Sequence, residues 1–352
     1  MRKLKPLPWL TLKGLACGYR YKGPVSDHFD GERFQNIPPM PDLDRESLKR
    51  WRKERKGTLV PWQWQAGPEH AWHEETPVDR DHVRVTFINH STFLIQLNGL
   101  NILTDPVWSE RVSPFTFAGP KRCCAPGIAL DNLPPIDAIW LSHNHYDHCD
   151  VWALRELAKR FPDLTLYTPL GNGELARDAG IHHVVELDWW EKAELAGKSL
   201  SLVPAKHWGA RSIWDKRRTL WGGFVYESEL GPLYFAGDTG FGDFFSDINT
   251  HFGPLALSIL PIGAFRPEWF MQAVHMGPDE ALRAHHLLDS QQSIACHFGC
   301  FALADDRQFE PEQRLKAALE ESGLPQDVFT VPNRGESLLF SRNSLNPSGS
   351  ST

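Results

Sequence analysis

The segment Trp140-Leu141-Ser142-His143-Asn144-His145-Tyr146-Asp147-His148 places four potential metal ligands within six positions, where a short apolar strand runs out. Neutral imidazole together with carboxylate suits zinc and similar transition metals, whereas calcium and magnesium prefer oxygen-only cages. Along an extended chain His143, His145 and Asp147 point to one side, with His148 turned aside as the chain enters a helix. Such a cluster can serve two adjacent metals. Further donors recur just past later strands: His207 after Val203-Pro204-Ala205-Lys206, Asp238 after Phe235-Ala236-Gly237, and His297 after Ile294-Ala295-Cys296. Loops at one edge of a sheet are where α/β proteins commonly bind ligands, so the repeated placement outweighs any single histidine. Unrelated core histidines would instead leave several buried polar groups unpaired, at considerable cost.

The elements that must position these groups alternate between short strands and helices. The pattern predicts strands over 83–88, 92–97 and 102–103, with Asn98-Gly99 as a hairpin turn. A fully apolar strand over 138–141 precedes the cluster, and a helix over 151–160 follows it. Strands are then expected at 164–167, 199–203, 224–227, 233–235, 255–260, 293–296 and 337–340, and helices at 173–179, 278–288 and 311–322. This is a mixed α/β architecture.

His143-Asn144-His145-Tyr146-Asp147-His148, with His207, Gly237-Asp238-Thr239 and His297, resembles the HxHxDH pattern of the metallo-β-lactamase superfamily. Within it, the chain is most similar to the N-acylphosphatidylethanolamine-hydrolysing phospholipase D family and its bacterial relatives. The likeness runs from about residue 83 to 340, through Leu103-Thr104-Asp105-Pro106, Gly119-Pro120-Lys121-Arg122, Pro204-Ala205-Lys206-His207-Trp208 and His297-Phe298-Gly299. It implies an αββα sandwich with metals at one edge, between the two sheets. It also implies that His143, His145 and His207 hold one Zn2+, that Asp147, His148 and His297 hold a second, and that Asp238 bridges them. A hydroxide between the metals would be the nucleophile, made available near neutral pH by metal acidification of water. Asp147, Asp238 and His275 match catalytic positions, and Tyr146 and His275 match positions near the substrate. Asp105 and His90 match residues behind the ligands, Asp105 being placed to orient an imidazole through its other nitrogen. Around His90 the family usually has Gly where this chain has Asn89.

The implied activity is hydrolysis of an N-acylphosphatidylethanolamine-like phosphodiester to phosphatidic acid and an N-acylethanolamine. The same scaffold hosts other chemistries, so a lactonase or another hydrolase of a small soluble substrate, a nuclease and an iron redox enzyme are alternatives, as is a non-enzymatic membrane-associated metal-binding protein. The full set of seven ligands favours the binuclear hydrolase. A serine hydrolase is opposed by the lack of a Gly-x-Ser-x-Gly elbow. A cysteine nucleophile at Cys296 is opposed by its place on a strand, facing away from its ligand neighbour.

Three regions are expected: a basic, Trp-rich extension over 1–80, the hydrolase domain over 81–342, and a disordered tail over 343–352. One amphipathic helix in the extension is capped by Asp42 or Asp44 and ended by Gly57, with Leu43, Leu48 and Trp51 on one side. Its packing on the domain through Trp51 is favoured over lying on a membrane. The formal charge of −7 divides unevenly. Residues 1–57 hold 14 Lys and Arg against 7 Asp and Glu, so the remainder carries −14. An acidic body argues against a nucleic-acid partner, while a basic arm with tryptophans suits peripheral contact with a phospholipid surface. Six scattered cysteines fit a reducing compartment. The start of the chain, up to Cys17, has the outline of a lipoprotein signal, but Lys13, Pro6, Pro8 and Gly14 spoil it. The expectation is therefore a cytoplasmic protein, with peripheral contact at the inner membrane and, by family likeness, a homodimer left open.

Overall fold

The computed structural model describes residues 18–40, 45–57, 60–67, 78–212 and 214–345, apart from the side chain of Asn343. Strands β1 (His82–Asn89), β2 (Thr92–Leu97) and β3 (Leu100–Thr104) form an antiparallel meander. Asn98 and Gly99 both have positive φ, 46° and 80°, which is what a two-residue turn needs to match the twist of its strands. The first sheet continues with β4 (Ala138–Trp140), β5 (Thr165–Pro169) and β6 (His183–Leu187), all parallel, and is closed on its other edge by β14 (Ser337–Ser341). The second sheet has the order β13 (Phe329–Thr330), β12 (Gln292–Cys296), β11 (Leu257–Pro261), β10 (Gly231–Phe235), β9 (Gly223–Ser228), β8 (Lys198–Val203), β7 (Lys192–Leu195). Each sheet is therefore half antiparallel and half parallel.

Period-two alternation decides the layers. In β2, Phe93, Ile95 and Leu97 join the larger core, whereas Leu94 faces a second one. The larger core fuses the inner faces of the sheets, with Trp140 of the first against Phe224 and Tyr226 of the second. The smaller core lies between the outer face of the first sheet and helices α2 (Val151–Arg160) and α3 (Gly173–Asp178). Helices α4 (Phe244–Phe252), α6 (Pro278–Leu287) and α7 (Glu310–Glu321) contribute Phe245, Ala281 and Leu315 to the packing of the second sheet. The result is the αββα order of layers. Two short helices, α5 (Glu268–Met271) and α8 (Arg342–Leu345), complete the set with α1 (Arg45–Glu54).

Two regional expectations change. Part of the expected extension is built into the domain: Phe29 and Phe34 sit in the main core at 1% and 0% exposure. Helix α1 docks through Trp51, whose ring stacks on Phe270 and whose Nε1 donates to Asp305. Its expected caps, Asp42 and Asp44, lie outside the described residues, as do residues 1–17. The tail expected from Asn343 begins instead as α8, held by the buried Leu345; residues 346–352 lie outside the described residues. Among the described residues no helix is long and apolar enough to cross a membrane.

Candidate metal centre

The cluster forms where β4 ends. Asp105, at the end of β3, accepts hydrogen bonds from the Ser142 main-chain N–H (2.7 Å) and hydroxyl (2.6 Å), which fixes the backbone entering His143. The chain stays extended to His145 and then folds back, with the main-chain N–H groups of His148 and Cys149 both donating to the His145 carbonyl. Asp150 then caps α2, accepting from Trp152 N–H. That turn corrects the simple alternation: Asp147 leaves the side of His143 and His145 and joins His148.

Two donor groups result. His143, His145, His207 and Asp238 form one, and Asp147, His148 and His297 form the other with His90 behind them. In the first, His145 Nδ1 lies 2.9 Å from His143 Nε2 and 3.2 Å from His207 Nε2. In the second, His148 Nε2 and His297 Nε2 lie 3.3 and 3.4 Å from Asp147 Oδ2. Asp238 Oδ2 belongs to both, at 3.1 and 3.2 Å from His148 and His297 and at 3.9 and 3.7 Å from His143 and His207. Ligands about 2.0–2.1 Å from a tetrahedral ion stand roughly 3.3 Å from one another, so these separations suit a transition metal in each group.

The second nitrogens of three rings fix their tautomers. His148 Nδ1–H donates to Asp105 (2.6 Å), His143 Nδ1–H to the Ser142 hydroxyl (2.9 Å) and His207 Nδ1–H to the Val274 carbonyl (3.0 Å). In His143 and His207 the Nε2 lone pair is left to face the cluster, and in His148 Nε2 is the atom turned toward it. His90 Nε2–H donates to Asp147 Oδ2 at 3.0 Å, so it orients that carboxylate. Asn89, standing where the family usually has Gly, ties the same turn down by donating to the Val107 carbonyl. His90, Asp105 and His297 all have positive φ, a concentration of backbone strain typical of functional sites.

The electrostatics favour positive charge here. Burial, reinforced by neighbouring imidazoles, pushes His143 and His207 well below the ordinary histidine range. Burial takes His145, His90 and His275 down to about 4. His148 is the opposite: burial opposes its charge, but Asp238, Asp147 and Asp105 outweigh that and lift it well above the usual value. His297 is likewise raised to about 9 against its burial, chiefly by Asp238 and Asp147. His148 Nε2, His297 Nε2 and Asp238 Oδ1 are buried without a hydrogen-bond partner. Imidazole nitrogens, buried carboxylates and unpartnered atoms aimed inward are a donor set that metal cations fit.

His275 lies at the rim. Its Nδ1 is 3.9 Å from Asp238 Oδ2 and has no hydrogen-bond partner, and its ring packs between those of His207 and His297. The Tyr146 hydroxyl donates to the Arg211 carbonyl at 3.0 Å, beneath the Arg211 guanidinium. Sequence reasoning missed three contributors. Trp208 sets its ring against His145, 4.4 Å between centroids. Arg211 donates to the carbonyls of Asn144 and Cys149 and so braces the ligand loop. Asn36 hydrogen-bonds the His207 main chain. The neighbourhood of Trp208 to a ligand was readable; the others carried no local signal. Trp208 and Arg211 also line an apolar groove of about 500 Å³ with Pro114, Phe115, Ala210 and Trp214.

Residues 100–298 match the family described as the beta-lactamase superfamily domain. The chain is 36% identical over 263 residues to the N-acyl-phosphatidylethanolamine-hydrolyzing phospholipase D 1 of Caenorhabditis elegans, covering 71% of this chain and 74% of that protein. It is 35% identical over 341 residues to an uncharacterized protein of Mycobacterium tuberculosis, covering 91% and 86%. Among solved structures, the isothiocyanate hydrolase from Delia radicum gut bacteria superposes with a TM-score of 0.59 at 22% identity, over 74% of this chain and 99% of that one.

Proposed function

The chain belongs to the metallo-β-lactamase superfamily, as a metal-dependent hydrolase related to the N-acyl-phosphatidylethanolamine-hydrolyzing phospholipases D, and from that premise we propose that it is a binuclear zinc phosphodiesterase acting on an N-acylated phosphatidylethanolamine or similar lipid. In this reading His143, His145 and His207 hold one zinc, Asp147, His148 and His297 the other, and Asp238 both. When bound, such a pair supplies an acidified water as nucleophile and a clamp for the diester oxygens. The protein's own part is to hold the diester against that pair. His275, neutral near pH 7 and with a free Nδ1, can donate to a phosphate oxygen at the rim. Tyr146 acts through Arg211, shaping the groove wall without touching the phosphate.

One juxtaposition carries this reading: Trp208 both lines the apolar groove and sets its ring against His145 of the ligand cluster. An apolar wall of this kind suits an acyl chain. Phe115 and Trp214, which line the groove, are 45% and 65% exposed, Phe117 beside Phe115 (5.5 Å between ring centroids) is 79% exposed, and Lys216 lies over the Trp208 ring. Exposed aromatics beside cations suit the interface of a phospholipid bilayer, where ring and charge meet apolar and wet surroundings together.

The test is to strip the purified protein with a chelator, reload it with zinc, and present vesicles of N-acylphosphatidylethanolamine beside a soluble nitrophenyl phosphodiester. Zinc-dependent release of phosphatidic acid and N-acylethanolamine is expected, and its loss in His145→Ala. Cleavage of the soluble diester alone would remove the lipid assignment, and cleavage of neither would remove the phosphodiesterase.

A further inference from the structure

We propose that Asn36, delivered by an N-terminal strap over residues 18–37, is a positioning residue for the metal centre, holding the His207 main chain and thereby the aim of its Nε2. The inference rests on the metal-centre reading above. Asn36 is 3% exposed and grips both polar groups of one peptide residue. Its Nδ2 donates to the His207 carbonyl at 2.9 Å, and its Oδ1 accepts from the His207 N–H at 3.1 Å. Oδ1 also accepts from Trp221 Nε1 at 3.3 Å, which pins the amide against the core. Among the described residues these are the hydrogen bonds that satisfy His207's main chain. The ring is fixed separately by the Val274 carbonyl, so His207 is held at two ends by segments far apart in sequence.

The strap is built to deliver that amide in one place. Phe29 and Phe34 pack together in the main core, 4.5 Å between centroids. His28 stacks on Trp189 and lies between Asp27 (2.6 Å) and Asp188 (2.8 Å). Main-chain bonds from Tyr21 to the Arg218 carbonyl and from Phe34 to the Arg217 carbonyl tie it to the loop that follows His207. A surface extension would need none of these. Asn36 also lies outside the residues 100–298 that match the superfamily domain, so the strap reaches the ligand cluster from beyond that matched span.

Groups behind a metal ligand commonly control affinity by about 10–100-fold. Zinc binding to the full-length protein, followed by competition against a chromophoric chelator, should therefore show two phases in the native chain. In Asn36→Ala one phase should weaken by about 10–100-fold while the other stays, and kcat should fall more than KM changes. Asn36→Asp, which keeps the size and the acceptor but loses the donated bond, reads the same phase should the alanine variant fail to fold. A variant that melts at a lower temperature yet binds zinc with both native affinities would make Asn36 a packing residue and overturn the proposal. A native chain that binds no zinc would instead overturn the metal-centre reading, and this inference with it.

Discussion

Asp105 governs several groups at once although none of its surface reaches solvent. Burial raises its pKa, and His148 and Ser142 offset this only in part. It must be a carboxylate, because it accepts from the Ser142 N–H and hydroxyl and from His148 Nδ1–H together. Asp105→Asn keeps the volume but turns a donor toward one of these donors. Zinc affinity should fall about 10–100-fold while the far-ultraviolet circular dichroism stays native, as titration against a competing chelator would read. His28 gives a second prediction with a definite sign. Burial lowers its pKa, but hydrogen bonds and charge from Asp188 and Asp27 outweigh that and raise it. The resulting stabilisation is fully present below its unfolded value of about 6.5 and disappears as pH rises through the raised folded value. Ser26 and the rings of Phe34 and Trp189, its other neighbours, do not titrate. The gap in urea midpoint between native protein and His28→Gln should therefore be wider near pH 6 than near pH 9. A gap that widens with pH would show that His28 is not held as a cation.

Strand ends and the turns leaving them set the site at the next scale. Gly237 connects β10 to Asp238 with φ of +60°, and a Cβ there would stand 2.5 Å from that of Ser142. Gly237→Ala should cost about 1–3 kcal/mol in urea unfolding and also reduce bound metal, because Asp238 moves with it. Helix α1 should behave independently. Trp51→Ala removes the stack on Phe270 and the bond to Asp305, so amide exchange over 45–54 should accelerate while activity on a soluble diester is retained. Much of this scale was legible in the sequence. Helix α2 runs over Val151–Arg160 as the spacing predicts, because its apolar stripe and the Asp150 cap agree. The donors His207, Asp238 and His297 were visible as polar residues just beyond apolar strands. Lys192–Leu195 was not, since Ala193 and Leu195 face the main core but four residues are too few to establish an alternation. Phe244–Phe252 escaped because its Asp, Asn and Thr are weak helix formers, and its helix depends on packing Phe245 and Ile248. The turn that redirects Asp147 and the reach of Asn36 across 171 residues are tertiary facts with no local signature.

For the whole molecule, the charge asymmetry reads differently once the helix is seen in place. Lys49 pairs with Glu46, Arg50 with Glu54 and Arg55 with Asp305, so part of the basic face of α1 is neutralised by the protein itself. The proposed contact with a bilayer is then assigned more to the aromatic lip of the groove than to the basic arm. Replacing Phe117 and Trp214 together by serine should weaken sedimentation with anionic phospholipid vesicles severalfold and leave turnover of a soluble diester unchanged. Unchanged sedimentation would return the interface to the basic arm. The same scale links metal to stability, since ions that bind only the folded chain raise its melting temperature by mass action. Exhaustive chelation should lower the thermal midpoint and added zinc should restore it.

The proposed function depends on two metals sharing Asp238. Diffraction from crystals of the zinc-loaded protein, collected on either side of the zinc absorption edge, observes that directly. Two anomalous peaks are expected about 3.5–4 Å apart, one among His143, His145 and His207 and the other among Asp147, His148 and His297, with Asp238 between them. A single peak, or peaks at other residues, would contradict the binuclear centre.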